Sequence, residues 1–271
     1  MITKEQVVEL YRKCATELPD DVVDAIKVAA NNATSDTQQT VFGTLLETLN
    51  ISKSESIPIC QDTGTPVFHV QLDKIHSGRE VRKIIEAATV EATESVPLRP
   101  NAVDSITGET IGNMPIIHFE DAEKFRIDLM LKGGGSENVT QVYTLPDERL
   151  KAHRDLEGVR SCILDAVVKA QGKGCPPYII GVAIGGIIDD VVKLSKKQLL
   201  RKLGDTNRNS ELANLERNVL KDINLLGIGA AGFGGKTTAL AVKAAATCRT
   251  PASFFVAVTF SCWALRRQSY V

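Results

Sequence analysis

Apolar residues recur with helical spacing over several stretches of the chain. Residues 3–31 carry apolar positions three or four apart, broken by Pro19 and resumed after two aspartates, so this stretch predicts two helices. Ser35 and Ser77 are each followed three residues later by Gln or Glu, a capping-box pattern that predicts a helix start at both places. In the second half, the same spacing predicts helices at about 155–171, 188–203 and 210–222, and a last helix beginning near Thr237.

Other stretches have the character of strands. Residues 65–75 alternate between apolar and polar side chains, which predicts a strand with one buried face. Residues 114–119 and 125–131 flank an acidic turn, and we interpret them as a hairpin. The apolar runs at 178–186 and 252–260 predict fully buried strands. Helices and strands follow one another without a regular βα repeat, which favours an α+β fold over a doubly wound sheet.

The pattern shows no internal repeat and no clear linker. We therefore interpret residues 1–271 as one large domain, in which residues 1–20 form an N-terminal helix. The polar stretch at 204–211 is either a loop between helices or a subdomain break.

The composition is that of an ordinary globular protein and argues against nucleic-acid-binding and membrane proteins. The 271 residues are 43% hydrophobic and 24% charged, with a formal net charge of -1, as in ordinary globular proteins. We expect no nucleic-acid partner and no membrane association, because the charge is balanced and no apolar run is long enough to span a bilayer. The N-terminus lacks the apolar core of a signal peptide, so we expect a cytoplasmic protein in which disulfides do not form.

A glycine-rich segment at 227–235 invites a nucleotide-binding interpretation. Gly227, Gly229 and Gly232 fit G-x-G-x-x-G, but no acidic residue follows Asp222, so the acid that would bind the ribose is missing. The phosphate-loop pattern fails as well, because Ala230 stands where its first glycine belongs. The lysines and arginines that follow are either surface charges paired with acids or part of a site for a multi-carboxylate or phosphate ligand.

Three of the six cysteines lie where an apolar segment meets a turn or polar stretch. These are Cys60 in "CQDTG", Cys175 in "GCPPY" and Cys262 in "CWALRR". Cys14 and Cys162 lie at apolar positions of predicted helices and are expected in the core. Spacing alone leaves both inert cysteines and a three-thiolate metal site open, since these intervals form no metal motif.

Six motifs in order carry a resemblance to a known family: "PICQDTGT", "PLRPNAV", "KGGGSEN", "GCPPYIIGVAIGG", "LGIGAAGFGGKTTALAVK" and "PASFFVAVTFSCWALRR". The chain resembles the iron–sulfur hydro-lyases of the class I fumarase and L-tartrate dehydratase family, and within it the alpha subunit or the N-terminal domain of the single-chain forms. "KGGGSEN" and "GGKTTALAVK" are more similar to the fumarase branch.

The resemblance implies a 4Fe-4S cluster held by Cys60, Cys175 and Cys262, with one iron left open as a Lewis acid. It implies reversible addition of water to fumarate to give L-malate, a reaction on a small dicarboxylate. Asp62 would assist proton transfer at the hydroxyl, the alternative being a residue that caps a turn.

The resemblance also implies substrate-binding residues. Gln61 would lie near the substrate and Arg99 would clamp a carboxylate, while the backbone amides of Gly133, Gly134 and Gly135 would form an anion-binding nest. Thr250 stands where the family has a histidine that is thought to handle protons, and threonine does not titrate near neutral pH.

The family's beta portion is absent from this sequence. The resemblance therefore implies a separate beta subunit of about 200 residues, an ordinary domain size, in a heterotetramer of two alpha and two beta chains. Two other functions stay open: dehydration of tartrate or another hydroxy-dicarboxylate, and a catalytically impaired or regulatory alpha-like subunit, for which Thr250 is the main reason.

Overall fold

A computed structural model describes residues 2–271, and the chain in it divides into two compact units. The first unit comprises the residues through Asp20, Leu45–Gly134 and Ala264–Val271. The second comprises Asp21–Thr44 and Gly135–Trp263. Both contain helices and strands, so the predicted α+β class is confirmed.

The first unit is built on a four-stranded sheet with the strand order β10-β5-β1-β4. A small two-stranded sheet, β2 with β3, follows the helix α4. The elements assigned wholly to this unit are α1 (Lys4–Thr16), β1 (Thr65–Leu72), α4 (Gly78–Ser95), β2 (Ala102–Val103), β3 (Thr110–Gly112), β4 (Ile116–Asp121), β5 (Arg126–Lys132) and β10 (Arg266–Tyr270).

Helix α1 covers one face of this sheet. It begins at a capping box, in which the Thr3 hydroxyl accepts the Gln6 amide at 3.3 Å and the Gln6 side chain accepts the Thr3 amide at 2.9 Å. Its buried stripe includes Tyr11, whose ring lies edge-on to Phe68 of β1 with 5.6 Å between centroids. Residues 3–31 do form two helices, as predicted, the second being α2 (Asp20–Asn31).

The predicted hairpin is wrong, because β4 and β5 do not pair with each other. Both pair with β1, which runs parallel to β4 and antiparallel to β5. Val67, Phe68 and Val70 of β1 are almost fully buried, whereas β4 is only partly covered. The two well-buried strands, β1 and β5, therefore take the inner positions, the partly covered β4 takes an edge, and the acidic turn joins two strands that lie on either side of β1.

The second unit contains the other four-stranded sheet, with the order β6-β9-β7-β8. Its buried strands β7 and β9 lie close to the predicted positions, and its helices α6, α7 and α8 also match the predicted runs. The elements are β6 (Gln141–Thr144), α6 (Leu156–Ala170), β7 (Tyr178–Ile184), α7 (Ile188–Gln198), α8 (Ser210–Leu225), β8 (Ala239–Ala246) and β9 (Phe255–Ser261), together with the short α5 (Gly134–Glu137), whose first residue belongs to the first unit.

Helix α3 (Asp36–Glu55) begins after Ser35, whose hydroxyl accepts the Gln38 amide at 3.3 Å. The polar stretch 204–211 lies inside the second unit, and most of it forms the loop between α7 and α8. Within residues 2–271, no helix is both long and apolar enough to cross a membrane.

The helix predicted near Thr237 is wrong, since this segment forms strand β8, parallel to β7. A short apolar run cannot be assigned to helix or strand by its spacing alone. Tertiary contacts decide here: the outer edge of β8 at Ala244 is bonded by side chains. The Glu216 carboxylate accepts the Ala244 amide at 2.7 Å, while Arg201 and Asn207 donate to the Ala244 carbonyl at 3.1 and 2.7 Å.

Candidate active site

The loop between α3 and β1 exposes Cys60 and Gln61, leaves Asp62 partly exposed and buries Thr63 and Gly64. The Ile59 amide donates to the Ala15 carbonyl at 3.0 Å, which fixes the start of the loop. Gly64 has φ of +86°, and a Cβ there would lie 2.9 Å from the Leu131 carbonyl carbon. Only glycine fits this position without strain, so the loop can turn sharply and leave the Cys60 thiol accessible.

Asp62 is oriented by backbone amides. Its Oδ1 accepts the Gly64 amide at 3.0 Å, as a capping residue would, and its Oδ2 accepts the Gly134 amide at 2.8 Å. The expected anion-binding nest at Gly133, Gly134 and Gly135 is therefore used at Gly134 by the chain's own carboxylate. This contact also ties the end of β5 to the Cys60 loop.

Arg266 has a role that the sequence did not reveal. Its side chain is buried, with a residue exposure of 1%, and it donates from a guanidinium nitrogen to the Asp62 carbonyl at 2.8 Å. The sequence carried only a weak signal for this contact, the local excess of positive charge near the C-terminus. Arg266 thus fixes the backbone of Asp62, while the Gly64 and Gly134 amides hold its carboxylate.

Arg99 lies beside this loop. Its side chain is exposed, and its backbone carbonyl accepts the Thr63 hydroxyl at 3.2 Å. The structure thereby brings together, within the first unit, the motifs that contain Asp62 and Arg99.

In the second unit, Cys175 sits in a tight turn between α6 and β7. The residue is exposed and has φ of +59°, which is unusual for any residue other than glycine. The Cys175 amide donates to the Gly172 carbonyl at 3.2 Å, and the Tyr178 hydroxyl accepts the Gly174 amide at 3.1 Å. The Trp263 amide donates to the Cys175 carbonyl at 3.1 Å.

Cys262 directly precedes Trp263 and is half-buried, so the structure places the segments of Cys175 and Cys262 side by side. The pKa of Tyr178 is raised to about 12, mainly by burial and further by the charges of the same two cysteines. Cys60 belongs to the first unit. Within residues 2–271, no three His, Cys, Asp or Glu side chains are grouped as a metal site.

The remaining cysteines differ in accessibility. Cys14 and Cys162 are buried, as expected, and burial is the main cause that raises each pKa to about 12. Cys248 is exposed. Thiolates are the protein ligands of iron–sulfur clusters, and each of the three motif cysteines is exposed or half-buried within its own unit.

The glycine-rich loop at 227–235 packs against the Cys175 turn. The Ala231 amide donates to the Pro176 carbonyl at 2.7 Å. A Cβ on Gly232 would lie 2.9 Å from the Gly172 Cα, so the two backbones touch where only glycine fits. The loop follows helix α8 and precedes strand β8, the reverse of the strand-to-helix context that nucleotide-binding loops require.

Thr250 is not brought together with the second unit's two cysteines. It lies in an exposed loop before β9, where its hydroxyl and that of Ser253 are 2.8 Å apart. Arg249 donates to the Thr250 carbonyl at 3.0 Å. Cys262 follows the other end of β9, which spans roughly 20 Å at the usual rise of a strand.

Known proteins similar to this chain are named as fumarate hydratases or tartrate dehydratases. The chain matches the family described as fumarate hydratase (Fumerase) over residues 4–271. It is 42% identical to a protein named "Putative fumarate hydratase class I" of Geobacillus stearothermophilus, over 97% of this chain and 53% of that protein. The chain thus spans about half of that relative's length.

Two further relatives are named as subunits. "Putative L(+)-tartrate dehydratase subunit alpha" of Methanocaldococcus jannaschii is 39% identical over 98% of this chain and 96% of its own length. "L(+)-tartrate dehydratase subunit alpha" of Escherichia coli is 30% identical over 97% of this chain and 88% of its own length.

Replacing Gly232 by alanine is expected to lower the free energy of unfolding by about 1–3 kcal/mol, because a Cβ would strain the backbone and press on Gly172. Gly204→Ala is the matched control, since a Cβ there meets nothing within 4 Å, and its effect should stay within about 0.5 kcal/mol. Urea unfolding followed by circular dichroism measures both. Equal effects of the two substitutions would contradict the close backbone contact.

Proposed function

Because the chain belongs to the fumarate hydratase (Fumerase) family, we propose that it is the alpha subunit of an iron–sulfur hydro-lyase that reversibly converts fumarate and water to L-malate. In the dehydration direction, L-malate loses a proton from the carbon next to one carboxylate. Hydroxide leaves from the neighbouring carbon, and a carbon–carbon double bond forms. Hydration is the reverse, with trans addition across that bond.

The observation that carries the proposal is the placement of the motif cysteines. Cys60 and Cys175 are exposed and Cys262 is half-buried, each in a loop next to a strand, while Cys14 and Cys162 are buried. The proposed ligands of a 4Fe-4S cluster are therefore accessible thiols that also lie in the family motifs, whereas Cys248 is exposed but lies outside the cysteine motifs. When bound, a cluster with three thiolate ligands supplies an open iron that acts as a Lewis acid toward the substrate.

Asp62 is proposed to handle a proton at the substrate hydroxyl. Its carboxylate accepts one backbone amide on each oxygen, from Gly64 and Gly134, and each oxygen retains a further lone pair. The Arg266 contact to its carbonyl fixes the backbone as well. Such a preorganised carboxylate loses little orientation freedom when a substrate hydroxyl arrives.

Arg99 is proposed to bind a substrate carboxylate, because the planar guanidinium matches carboxylate geometry with two parallel hydrogen bonds. Gln61 adjoins Cys60 on the exposed part of the loop and can donate its amide to the substrate. Among the three glycines of the expected nest, Gly134 donates its amide to the Asp62 carboxylate. Gly133 and Gly135 remain candidates for substrate contact.

A separate beta subunit is proposed to complete the site. Two relatives of matching length carry "subunit alpha" in their names, and the Geobacillus protein continues well beyond the matched region. The partner would supply further carboxylate-binding residues and the base, in a heterotetramer of two alpha and two beta chains.

Dehydration of L(+)-tartrate is the second candidate function. It is favoured by the names of the same two relatives, which cover nearly the whole chain. Tartrate and malate are both four-carbon dicarboxylates with a hydroxyl next to a carboxylate. The Arg99 and Asp62 arrangement suits either, so the partner subunit would have to discriminate between them.

Anaerobic reconstitution with iron and sulfide tests the cluster. We expect about four irons per chain with visible absorbance, and loss of both in Cys60→Ser, Cys175→Ser and Cys262→Ser. Cys248→Ser is the matched control, because Cys248 is also exposed, and it should retain the cluster. A full cluster in any of the three motif variants would remove that cysteine from the ligand set.

Turnover of fumarate, L-malate and L(+)-tartrate by the reconstituted chain, with and without its partner subunit, tests the reaction. We expect no turnover by the chain alone and a preference for fumarate and L-malate in the complex. Turnover by the chain alone at an ordinary enzyme rate, about 10 per second, would disprove the need for a partner. Preference for tartrate would select the second candidate.

Thr250→His tests whether residue 250 takes part in catalysis. Because the loop of Thr250 and Cys262 lie at opposite ends of β9, we expect kcat of the complex to change by less than about threefold. A general acid or base contributes roughly a hundredfold or more. A gain of that size would overturn this expectation and favour a catalytically impaired subunit.

A further inference from the structure

The backbone carbonyl of Arg99 accepts two hydrogen bonds from side chains that the proposed reaction does not use. The Thr63 hydroxyl donates to it at 3.2 Å, and the Asn113 side-chain amide donates to it at 3.1 Å. Thr63 is buried, with 3% exposure, and directly follows Asp62. The Arg99 main chain is thus bonded to the loop that carries the proposed proton-handling residue.

Asn101 closes these contacts into a ring. Its side-chain amide donates to the Thr63 hydroxyl at 3.1 Å, and its backbone amide donates to the Asn113 side-chain oxygen at 3.1 Å. Asn113 also donates to the Thr93 hydroxyl of α4 at 3.1 Å. We call this set of Thr63, Arg99, Asn101 and Asn113 the carbonyl ring.

The chemistry of the ring requires these residue types. The Thr63 hydroxyl donates to one partner and accepts from another, which a hydroxyl can do and an aliphatic side chain cannot. Asn113 uses its oxygen as an acceptor and its nitrogen as a donor, so an aspartate would lose the donor. Pro100 further restricts Arg99, because the residue before a proline favours extended backbone.

We propose that Thr63, Asn101 and Asn113 are positioning residues, which hold the Arg99 backbone at a fixed distance from Asp62 so that the guanidinium meets one carboxylate while Asp62 reaches the hydroxyl. This inference rests on the proposed function, since it assigns the ring to substrate placement. Holding a binding group in place before the substrate arrives lowers the cost of ordering that group on binding, which gives the ring a purpose beyond stability.

Thr63→Val removes the hydroxyl and keeps the side-chain volume, whereas Thr63→Ser keeps the hydroxyl. Thr107→Val is the control, since the Thr107 hydroxyl is exposed, accepts the Glu109 amide at 3.3 Å and has no bond to the carbonyl ring. Hydrogen exchange on the full reconstituted chain is read at the backbone amide of Asn101. This amide donates to the Asn113 side chain, whereas the Asn101 side chain donates to Thr63. We expect Thr63→Val to raise that exchange rate about tenfold, with Thr63→Ser and Thr107→Val unchanged.

Kinetics on the complex form the second readout. We expect Thr63→Val to raise KM for the dicarboxylate roughly tenfold, with kcat within about threefold and iron content unchanged, because ground-state binding is lost. Thr63→Ser should restore the wild-type KM. A merely structural role would lower the amount of active enzyme and leave KM unchanged.

Two outcomes separate the inference from the function on which it rests. If the wild-type complex turns over a dicarboxylate and Thr63→Val leaves both KM and Asn101 exchange unchanged, the carbonyl ring has no positioning role and the proposed function stands. If the wild-type complex turns over none of the dicarboxylates, the proposed function fails and the assignment of the ring to substrate placement fails with it.

Discussion

The two hydrogen bonds from backbone amides to the Asp62 carboxylate are the constraint on which the first unit's loop depends. They join the turn after Cys60 to the end of β5, and they hold a partly exposed carboxylate through backbone N–H groups. A carboxylate held by backbone N–H groups is oriented by the fold itself rather than by flexible side chains. The exposed positions of Cys60 and Gln61 follow from this anchoring.

Glycine and positive φ angles serve a similar purpose in the second unit. Gly172 and Gly232 touch through their backbones, and Cys175 adopts a left-handed conformation next to that contact. Backbone in such conformations is costly and persists where surrounding contacts determine it. The density of glycine is therefore explained by the close packing of two loops, with no nucleotide needed.

Local signals were enough to predict most helices, the buried strands β7 and β9, and the position of the Cys60 turn. Pairing was not predictable in the same way, since β1 pairs with β4 and β5 through contacts that no local pattern encodes. The segment at Ala239–Ala246 was assigned wrongly because only side chains far away in sequence, such as Glu216, favour a strand there. The contact of Arg266 with Asp62 and the separation of Thr250 from Cys262 also depend on tertiary structure, which local sequence does not show.

The side chains that bond the outer edge of β8 also limit how this protein can associate with others. An open strand edge invites a foreign strand to extend the sheet, and such extension begins many aggregates. Glu216, Arg201 and Asn207 already occupy the backbone groups of Ala244, and the opposite edge strand, β6, has only four residues. The second unit's sheet is thus poorly suited to grow by strand addition, which favours solubility when the protein accumulates at high concentration.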